Sequence, residues 1–336
     1  MNILKLPNDC SYFDNKNILI TGGTGTLGNI LTQFFLNNTD CNKICIYSRD
    51  EFKQHQMKIK YKDYRNFHKL RFFIGDIRDA ERTKYAIRDI NIVFHAAALK
   101  QVDSIEYNPM EAIKTNITGT QNVIMACIEN NIDKLVGIST DKCVSPANLY
   151  GATKLCLEKL IIHAHEYSAF NLKTCVVRYG NVIGSRGSVV PIFLDQQNSG
   201  KFTVTNKKMT RFTLTIDQAL NFVINSTIIS KGGEIFVPKL HKYNLLQLCS
   251  IIKKDNVIEE IGIRPGEKLH EEMISETESL RVWEGSDFFI IEDTKGLDRD
   301  IVSKYNLEKK TDLFSYNSNN ALKITNSDLK NQIDSI

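Results

Sequence analysis

Asn17-Ile-Leu-Ile-Thr21, Gly22-Gly23-Thr24-Gly25-Thr26-Leu27-Gly28 and Ile30-Leu31-x-x-Phe34-Phe35-Leu36 run on from one another, and together they decide the fold. The apolar run predicts a short buried strand, the glycines a tight turn, and the spaced apolar residues a helix. Glycines let the backbone approach a pyrophosphate, and the free N–H groups and dipole at a helix N-terminus favour anions. Gly23-x-Gly25-x-x-Gly28 meets the pattern G-x-G-x-x-G, and Gly22-x-x-Gly25-x-x-Gly28 meets the variant with two-residue gaps. Such glycines are weak evidence alone and strong evidence between a strand and a helix. Gly22, Thr24, Gly25, Thr26, Leu27 and Gly28 are therefore read as a dinucleotide cradle. The fold class follows: α/β, a Rossmann-like doubly wound parallel sheet.

Working outward, Lys43-Ile-Cys-Ile-Tyr47 predicts the second strand. An NAD enzyme places an acid about 20 residues past the last glycine, on the ribose 2′-hydroxyl. Here that place holds Ser48-Arg49, with Asp50 next and Lys53 one turn on. A guanidinium and an ammonium suit a 2′-phosphate better than a bare hydroxyl, so NADP is the expected cofactor. Asp50 leaves NAD open. Leu70-Arg-Phe-Phe-Ile74 is the third strand, ending in Gly75-Asp76-Ile77, where Asp76 is placed to accept from an adenine amino group. Ile92-Val-Phe-His95 is the fourth and ends in Ala96-Ala97-Ala98, small residues against which a flat cofactor can lie. His95 reads as packed rather than catalytic, and Lys100 stands at the crevice facing a substrate or solvent. A long helix over 109–130 starts at Pro109, which suits a first-turn position. Its Asn116 is placed to bond backbone or water beneath the site.

Lys134-Leu-Val-Gly-Ile-Ser139 predicts a buried fifth strand that delivers Thr140, Asp141 and Lys142 at its carboxyl end, where ligands bind in open α/β sheets. Tyr150 and Lys154 follow, spaced to share one helix face. A lysine near a phenol favours the phenolate, which makes Tyr150 a candidate base. A capped helix carrying a solvated lysine is the plainer reading of Tyr-x-x-x-Lys. The acid and amine before it, and the glycine turn, weigh against that. Thr174-Cys-Val-Val-Arg178 is the sixth strand, and Tyr179-Gly180-Asn181-Val182 faces the same crevice.

At 336 residues the chain has room for this domain and a smaller one. A net charge of +4, evenly spread, argues against nucleic acid and suits a phosphorylated small molecule. Eight cysteines form no C-x-x-C pair, so reduced core thiols are expected, and neither Cys41/Cys45 nor His163/His165 makes a convincing metal site. There is no apolar leader with a cleavage site and no window approaching ~18 apolar residues, so no membrane association and a soluble, cytoplasmic location are expected. The division expected is a polar lead-in over 1–16, an NADP-binding domain over 17–183, a mainly substrate-binding α/β region over 184–292 and a peripheral polar tail over 293–336. The second region opens with a flexible loop, Gly184-Ser-Arg-Gly-Ser188. Its Arg211 and Arg264 are candidates to clamp a diphosphate, although each alone is more often a surface residue.

Thr-Gly-Gly-Thr-Gly at 21–25, Tyr-x-x-x-Lys at 150–154 and Arg-Tyr-Gly-Asn at 178–181 resemble the extended short-chain dehydrogenase/reductases. Tyr-Ser-Arg-Asp-Glu at 47–51, His-Ala-Ala-Ala-Leu-Lys at 95–100, Ser-Thr-Asp-Lys at 139–142 and Ile-Arg-Pro-Gly-Glu-Lys-Leu-His-Glu at 263–271 narrow the resemblance. They are similar to the soluble, inverting UDP-N-acetylglucosamine 4,6-dehydratases of pseudaminic acid-type pathways. The likeness spans roughly 17–291. It implies that Gly22, Thr24, Gly25 and Gly28 hold the pyrophosphate, Ser48, Arg49 and Lys53 the 2′-phosphate, Asp76 the adenine, and Lys154 the nicotinamide ribose. It implies that Lys100, Asn181, Arg211, Arg264 and Glu267 contact a UDP-sugar, and that the protein is a homo-oligomer, dimer or hexamer. Thr140, Asp141, Lys142, Tyr150 and Lys154 become the catalytic set. On this resemblance Tyr150 is expected to be the C4 base, Lys142 to take the C5 proton once burial and Lys154 have neutralised it, and a protonated Asp141 to release the 6-hydroxyl. Dehydratases that retain C5 carry methionine in place of Tyr150 and have transmembrane helices. A 4-epimerase has no need of an Asp141-Lys142 pair. A non-catalytic NADP-binding protein would have no reason to keep the set intact.

Overall fold

A computed structural model of the chain describes residues 3–169, 171–184 and 188–336. The first half alternates strand and helix. It comprises β1 (Asn17–Thr21), α1 (Thr26–Asn38), β2 (Lys43–Ser48), α2 (Glu51–Tyr61), β3 (Leu70–Ile74), α3 (Ala80–Ala86) and β4 (Ile92–His95). Then come α4 (Val102–Tyr107), α5 (Pro109–Ile113), α6 (Gly119–Glu129), β5 (Lys134–Ile138), α7 (Leu149–Tyr167) and β6 (Lys173–Val177). Strands buried on both faces read as near-continuous apolar runs, which is why β1, β2, β4, β5 and β6 were visible in sequence; β3, at the sheet edge, is only partly buried and is interrupted by Arg71. The sheet order β3-β2-β1-β4-β5-β6 is all parallel, and the order reverses between β1 and β4. Register pairs Thr21 with both Tyr47 and His95, and His95 with Gly137, so the carboxyl ends of these strands meet at one level. That is where a crevice opens in this topology. The expected helix over 109–130 is interrupted: α5 and α6 are joined by a π turn over Lys114–Thr118. Single π turns concentrate at functional sites, and this one carries Asn116.

The second half holds α8 (Val189–Gln196), β7 (Lys201–Val204), β8 (Thr210–Thr213), α9 (Ile216–Ile229), β9 (Glu234–Pro238), β10 (His241–Asn244) and α10 (Leu245–Ile252). It continues with β11 (Val257–Glu260), β12 (Glu272–Ile274), α11 (Glu276–Ser279), β13 (Val282–Glu284) and β14 (Phe288–Ile291). The chain closes with α12 (Arg299–Tyr305), β15 (Glu308–Lys309), β16 (Tyr316–Asn317) and α13 (Asn326–Asp334). β9 joins the large sheet parallel to β6, and β14, β13 and β15 extend it antiparallel to ten strands. A separate apolar cluster, including Phe193, Phe202, Tyr243, Leu248 and Leu329, sits under the smaller elements. Among the described residues no helix is long and apolar enough to cross a membrane. All eight cysteines are free, and six are buried.

Two readings from composition need correction. Residues 293–336 are not a loose periphery. β15 is in the large sheet, β16 pairs with β12, and Leu329 and Ile333 of α13 are buried. Polar spacing hid these few apolar anchors. The lead-in is likewise packed: Ile3 and Phe13 are buried, and Asn225 Nδ2 donates to the carbonyls of Ile3 and Lys5 at 3.0 and 2.8 Å. The expected flexible loop Gly184–Ser188 falls partly outside the described residues, at 185–187.

Candidate active site

The glycine turn is dictated by contact. Gly22 sits at φ +64°, and a Cβ there would lie 2.8 Å from Ala97 Cα. At Gly28 a Cβ would lie 2.3 Å from the carbonyl oxygen of Gly23. The N-cap of α1 is Gly25, and no side chain caps the first turn. Its N–H groups are thus left for an anion, which fits a dinucleotide pyrophosphate. The turn opens into a cleft of about 1460 Å³ lined by the cradle, by Ile77 and Ala96–Ala98, and by Thr140, Lys142, Tyr150 and Lys154. Of the residues given a cofactor, substrate or catalytic role from the sequence, Asp141 alone is absent from that lining; it lies fully buried behind it.

Ser48, Arg49 and Lys53 stand together at one end of the cleft. Arg49 Nη1 is 3.6 Å from Asp76, and Lys53 Nζ is 2.9 Å from Asp50. Asp50 is the N-cap of α2 and accepts from Lys53 N at 2.9 Å, so its carboxylate already has a structural task. Partial burial works against the charge of Asp76, but Arg78, at 2.6 Å, and Arg49 hold its carboxyl below the ordinary range. An adenine amino group would share that carboxylate with Arg78. On the facing side, Asn116 Oδ1 accepts from Leu99 N at 2.8 Å. Its Nδ2 donates to Leu99 O at 2.9 Å and to Thr153 Oγ1 at 3.0 Å, stapling the loop after β4 to α7. His95 is packed as expected, between Thr21 Oγ1 at 2.8 Å and Thr120 Oγ1 at 2.9 Å. Burial, then Lys154, depresses its pKa to about 3.

The reactive corner lies where β5 ends and α7 begins. Asn148 caps α7 by accepting from Gly151 N at 2.8 Å, which sets Tyr150 in the first turn. Thr140 Oγ1 donates to Asp141 Oδ1 at 3.0 Å, and Lys142 Nζ donates to the same oxygen at 3.0 Å. Lys142 Nζ also reaches Asn181 Oδ1 at 3.0 Å and Glu271 Oε1 at 3.4 Å. Burial raises the pKa of Asp141, in line with its expected protonation.

Three sequence expectations about Tyr150, Lys142 and Lys154 do not hold. Burial opposes charge on Lys142, but Asp141 and Glu271 overcome it and raise the amine's pKa. Lys154 does not neutralise Lys142, nor does its amine hydrogen-bond Tyr150: its Nζ donates to Ile138 O, and burial lowers its own pKa to about 8. Tyr150 is pushed up to about 12 by burial, with Lys142 and Thr140 pulling the other way.

Lys100 is at the mouth, its pKa lowered by desolvation and by Lys142. Arg211 is buried: Nη1 donates to Thr210 O at 2.7 Å, Nη2 to Met209 Sδ at 2.8 Å, and Nε faces Glu271 at 3.7 Å. Arg264 is at the rim, paired with Glu267 at 2.8 Å. Both arginines line the one cleft. Sequence reasoning gave no role to Glu271, although it ends a quoted motif. It also missed the buried Arg178, which donates to Glu158 at 2.6 and 3.0 Å, to Glu278 at 2.9 Å and to Met273 O at 2.6 Å. That network ties α7 to β12 and α11 beneath the site. Local pattern gives no sign of it, because its carboxylates lie 20 and 100 residues from the arginine.

Comparison with known proteins accords with this geometry. Residues 18–293 match the family model described as polysaccharide biosynthesis protein. The UDP-N-acetylglucosamine 4,6-dehydratase (inverting) of Campylobacter jejuni is 46% identical over 318 residues, covering 92% of this chain and 94% of that one. The UDP-glucose 4-epimerase of Rickettsia rickettsii is 41% identical, covering 83% of each. The X-ray structure of Pen from Bacillus thuringiensis superposes with a TM-score of 0.87 at 39% identity, over 96% of this chain and 98% of that one. A cradle, a parallel sheet and a Tyr-x-x-x-Lys helix of the extended short-chain dehydrogenase/reductase kind thus go with sequence matches along most of the chain, which belongs to the polysaccharide biosynthesis protein family.

Proposed function

We propose that the chain is a UDP-N-acetylglucosamine 4,6-dehydratase that inverts C5, and the hydrogen bond from Lys142 Nζ to Asp141 Oδ1, at 3.0 Å, carries the proposal. Elimination of water across C5–C6 needs a base for the C5 proton and an acid for the 6-hydroxyl at the same moment. One proton moving along that bond turns an ammonium and a carboxylate into an amine and a carboxylic acid. The raised pKa of Lys142 is then no obstacle, because the pair carries one proton in either form. The desolvation that raises the pKa of Asp141 favours the neutral form.

Each proton is accounted for. Tyr150, as phenolate, takes the proton of the 4-hydroxyl. A nicotinamide cofactor held by the glycine cradle would supply the hydride acceptor for C4 and the hydride donor for C6, and its positive ring would favour the phenolate of Tyr150. The C4 ketone acidifies the C5 proton, which passes to the amine of Lys142. Asp141 protonates the 6-oxygen and water leaves, restoring the ammonium–carboxylate pair. Tyr150 then protonates C5 from the opposite face and is again a phenolate. Arg49 and Lys53 beside Ser48, with Asp50 committed to capping α2, support NADP as the cofactor. The two halves act as the nucleotide-binding (17–183) and mainly substrate-binding (184–292) regions, in the cytoplasm.

The epimerase relatives favour a second reading, C4 epimerisation. Epimerisation requires neither a C5 base nor an acid at O6, so it leaves the Asp141–Lys142 pair without a task. Incubating the purified protein with UDP-N-acetylglucosamine in D₂O separates the readings by proton NMR. A 4-keto-6-deoxy product of L-arabino configuration with one deuterium at C5 is expected. UDP-N-acetylgalactosamine would identify an epimerase, an early D-xylo product a retaining enzyme, and no turnover a binding protein.

A further inference from the structure

Glu271 has no role in the chemistry above, yet the structure invests heavily in placing it. Its side chain is almost fully buried and borders the cleft. Oε1 faces Lys142 Nζ at 3.4 Å and Arg211 Nε at 3.7 Å. Oε2 is buried without a hydrogen-bond partner among the described residues. A buried carboxylate oxygen left in that state is costly and is normally avoided. The backbone around it is pinned from the far end of the chain. Glu271 N donates to Ser318 Oγ at 2.9 Å, and Ser318 N donates to Glu271 O at 2.7 Å. Ser318 is itself fully buried and lies 2.7 Å from Thr210 Oγ1, one residue before Arg211.

The charged groups facing Lys142 are Asp141 beside it, Glu271 before β12, and Arg211 on β8; Lys100 and Lys268 stand farther out. Lys142, Arg211, Asp141 and Glu271 sum to zero charge. Without Glu271 the cluster is positive, and the pair's single proton is the charge most easily lost. Losing it leaves Asp141 ionised with nothing to give to the 6-oxygen.

We infer that Glu271 is a positioning residue for elimination: through Lys142 it keeps one proton resident in the Lys142–Asp141 pair, so that base and acid are present together. The inference rests on the dehydratase reading for its consequence, but its physical core can be measured without turnover.

The experiment is competitive acetylation of Lys142 in the protein alone across a range of pH, read by mass spectrometry against an exposed lysine such as Lys60. Glu271→Gln should raise labelling of Lys142 about tenfold in mildly alkaline solution, the equivalent of one pKa unit. Glu271→Asp should fall between that and wild type. With UDP-N-acetylglucosamine, the alkaline limb of kcat for Glu271→Gln should move to lower pH by a similar amount while KM changes little. Unchanged labelling in a folded Glu271→Gln protein would overturn the inference. If Glu271→Gln does not fold, Ser318→Ala keeps the carboxylate, loosens its placement and carries the same test, with increased labelling expected. Altered labelling with no dehydratase activity even in wild type would sink the functional reading and leave the charge coupling standing.

Discussion

In the proposed mechanism Tyr150 and Lys142 divide the work at the scale of single residues, and that division can be tested. Both line the cleft, and Tyr150 is proposed to answer for the 4-hydroxyl proton and Lys142 for the one on C5. Tyr150→Phe should lower turnover by about 10²–10⁴ and prevent reduced cofactor from accumulating on mixing with substrate. Lys142→Met should still let reduced cofactor form, followed by its absorbance, while no 6-deoxy product appears. Near wild-type turnover in Lys142→Met would remove that amine from the mechanism. Residue types and order made it legible in sequence that these two side chains gather at one cleft. Protonation was not legible, because it depends on Glu271, 129 residues beyond Lys142, and on Lys154 bonding Ile138 O rather than the phenol.

Among elements, strand, turn and α1 are joined by backbone contact, and this part of the fold could be read without coordinates. Gly28 closes against Gly23 so tightly that a Cβ would lie 2.3 Å from a carbonyl oxygen, an atom that cannot step aside as a flexible side chain can. Gly28→Ala should cost about 1–3 kcal/mol in urea unfolding and weaken dinucleotide binding, measured by cofactor fluorescence. A variant of wild-type stability and affinity would show that α1 can shift without cost. The inner parallel strands announce themselves because each is largely apolar and buried on both faces. The π turn at Lys114–Thr118 and the Asn116 staple do not, since helical periodicity carries on through one extra residue in a turn.

Across the whole molecule, His95 links stability to acidity. It bridges β1 and α6 through Thr21 and Thr120, with its pKa lowered to about 3 in the fold. In the unfolded chain it titrates near 6.5. Between those values the unfolded state binds more protons, so stability falls as pH falls, by about 1.4 kcal/mol per unit from this group. Urea midpoints at about pH 5 and pH 7 should differ less in His95→Gln than in wild type, and an equal difference in both would place the acid sensitivity elsewhere. The order in which the chain leaves the ribosome gives one more consequence. The cradle residues all precede β6, whereas Ser318, the clasp on Glu271, and α13, whose Gln332 accepts from Thr213 Oγ1, follow it long after in the chain. A chain cut short before Ser318 should therefore keep every cradle residue yet lose the clasp on Glu271, and its turnover should fall further than its dinucleotide binding.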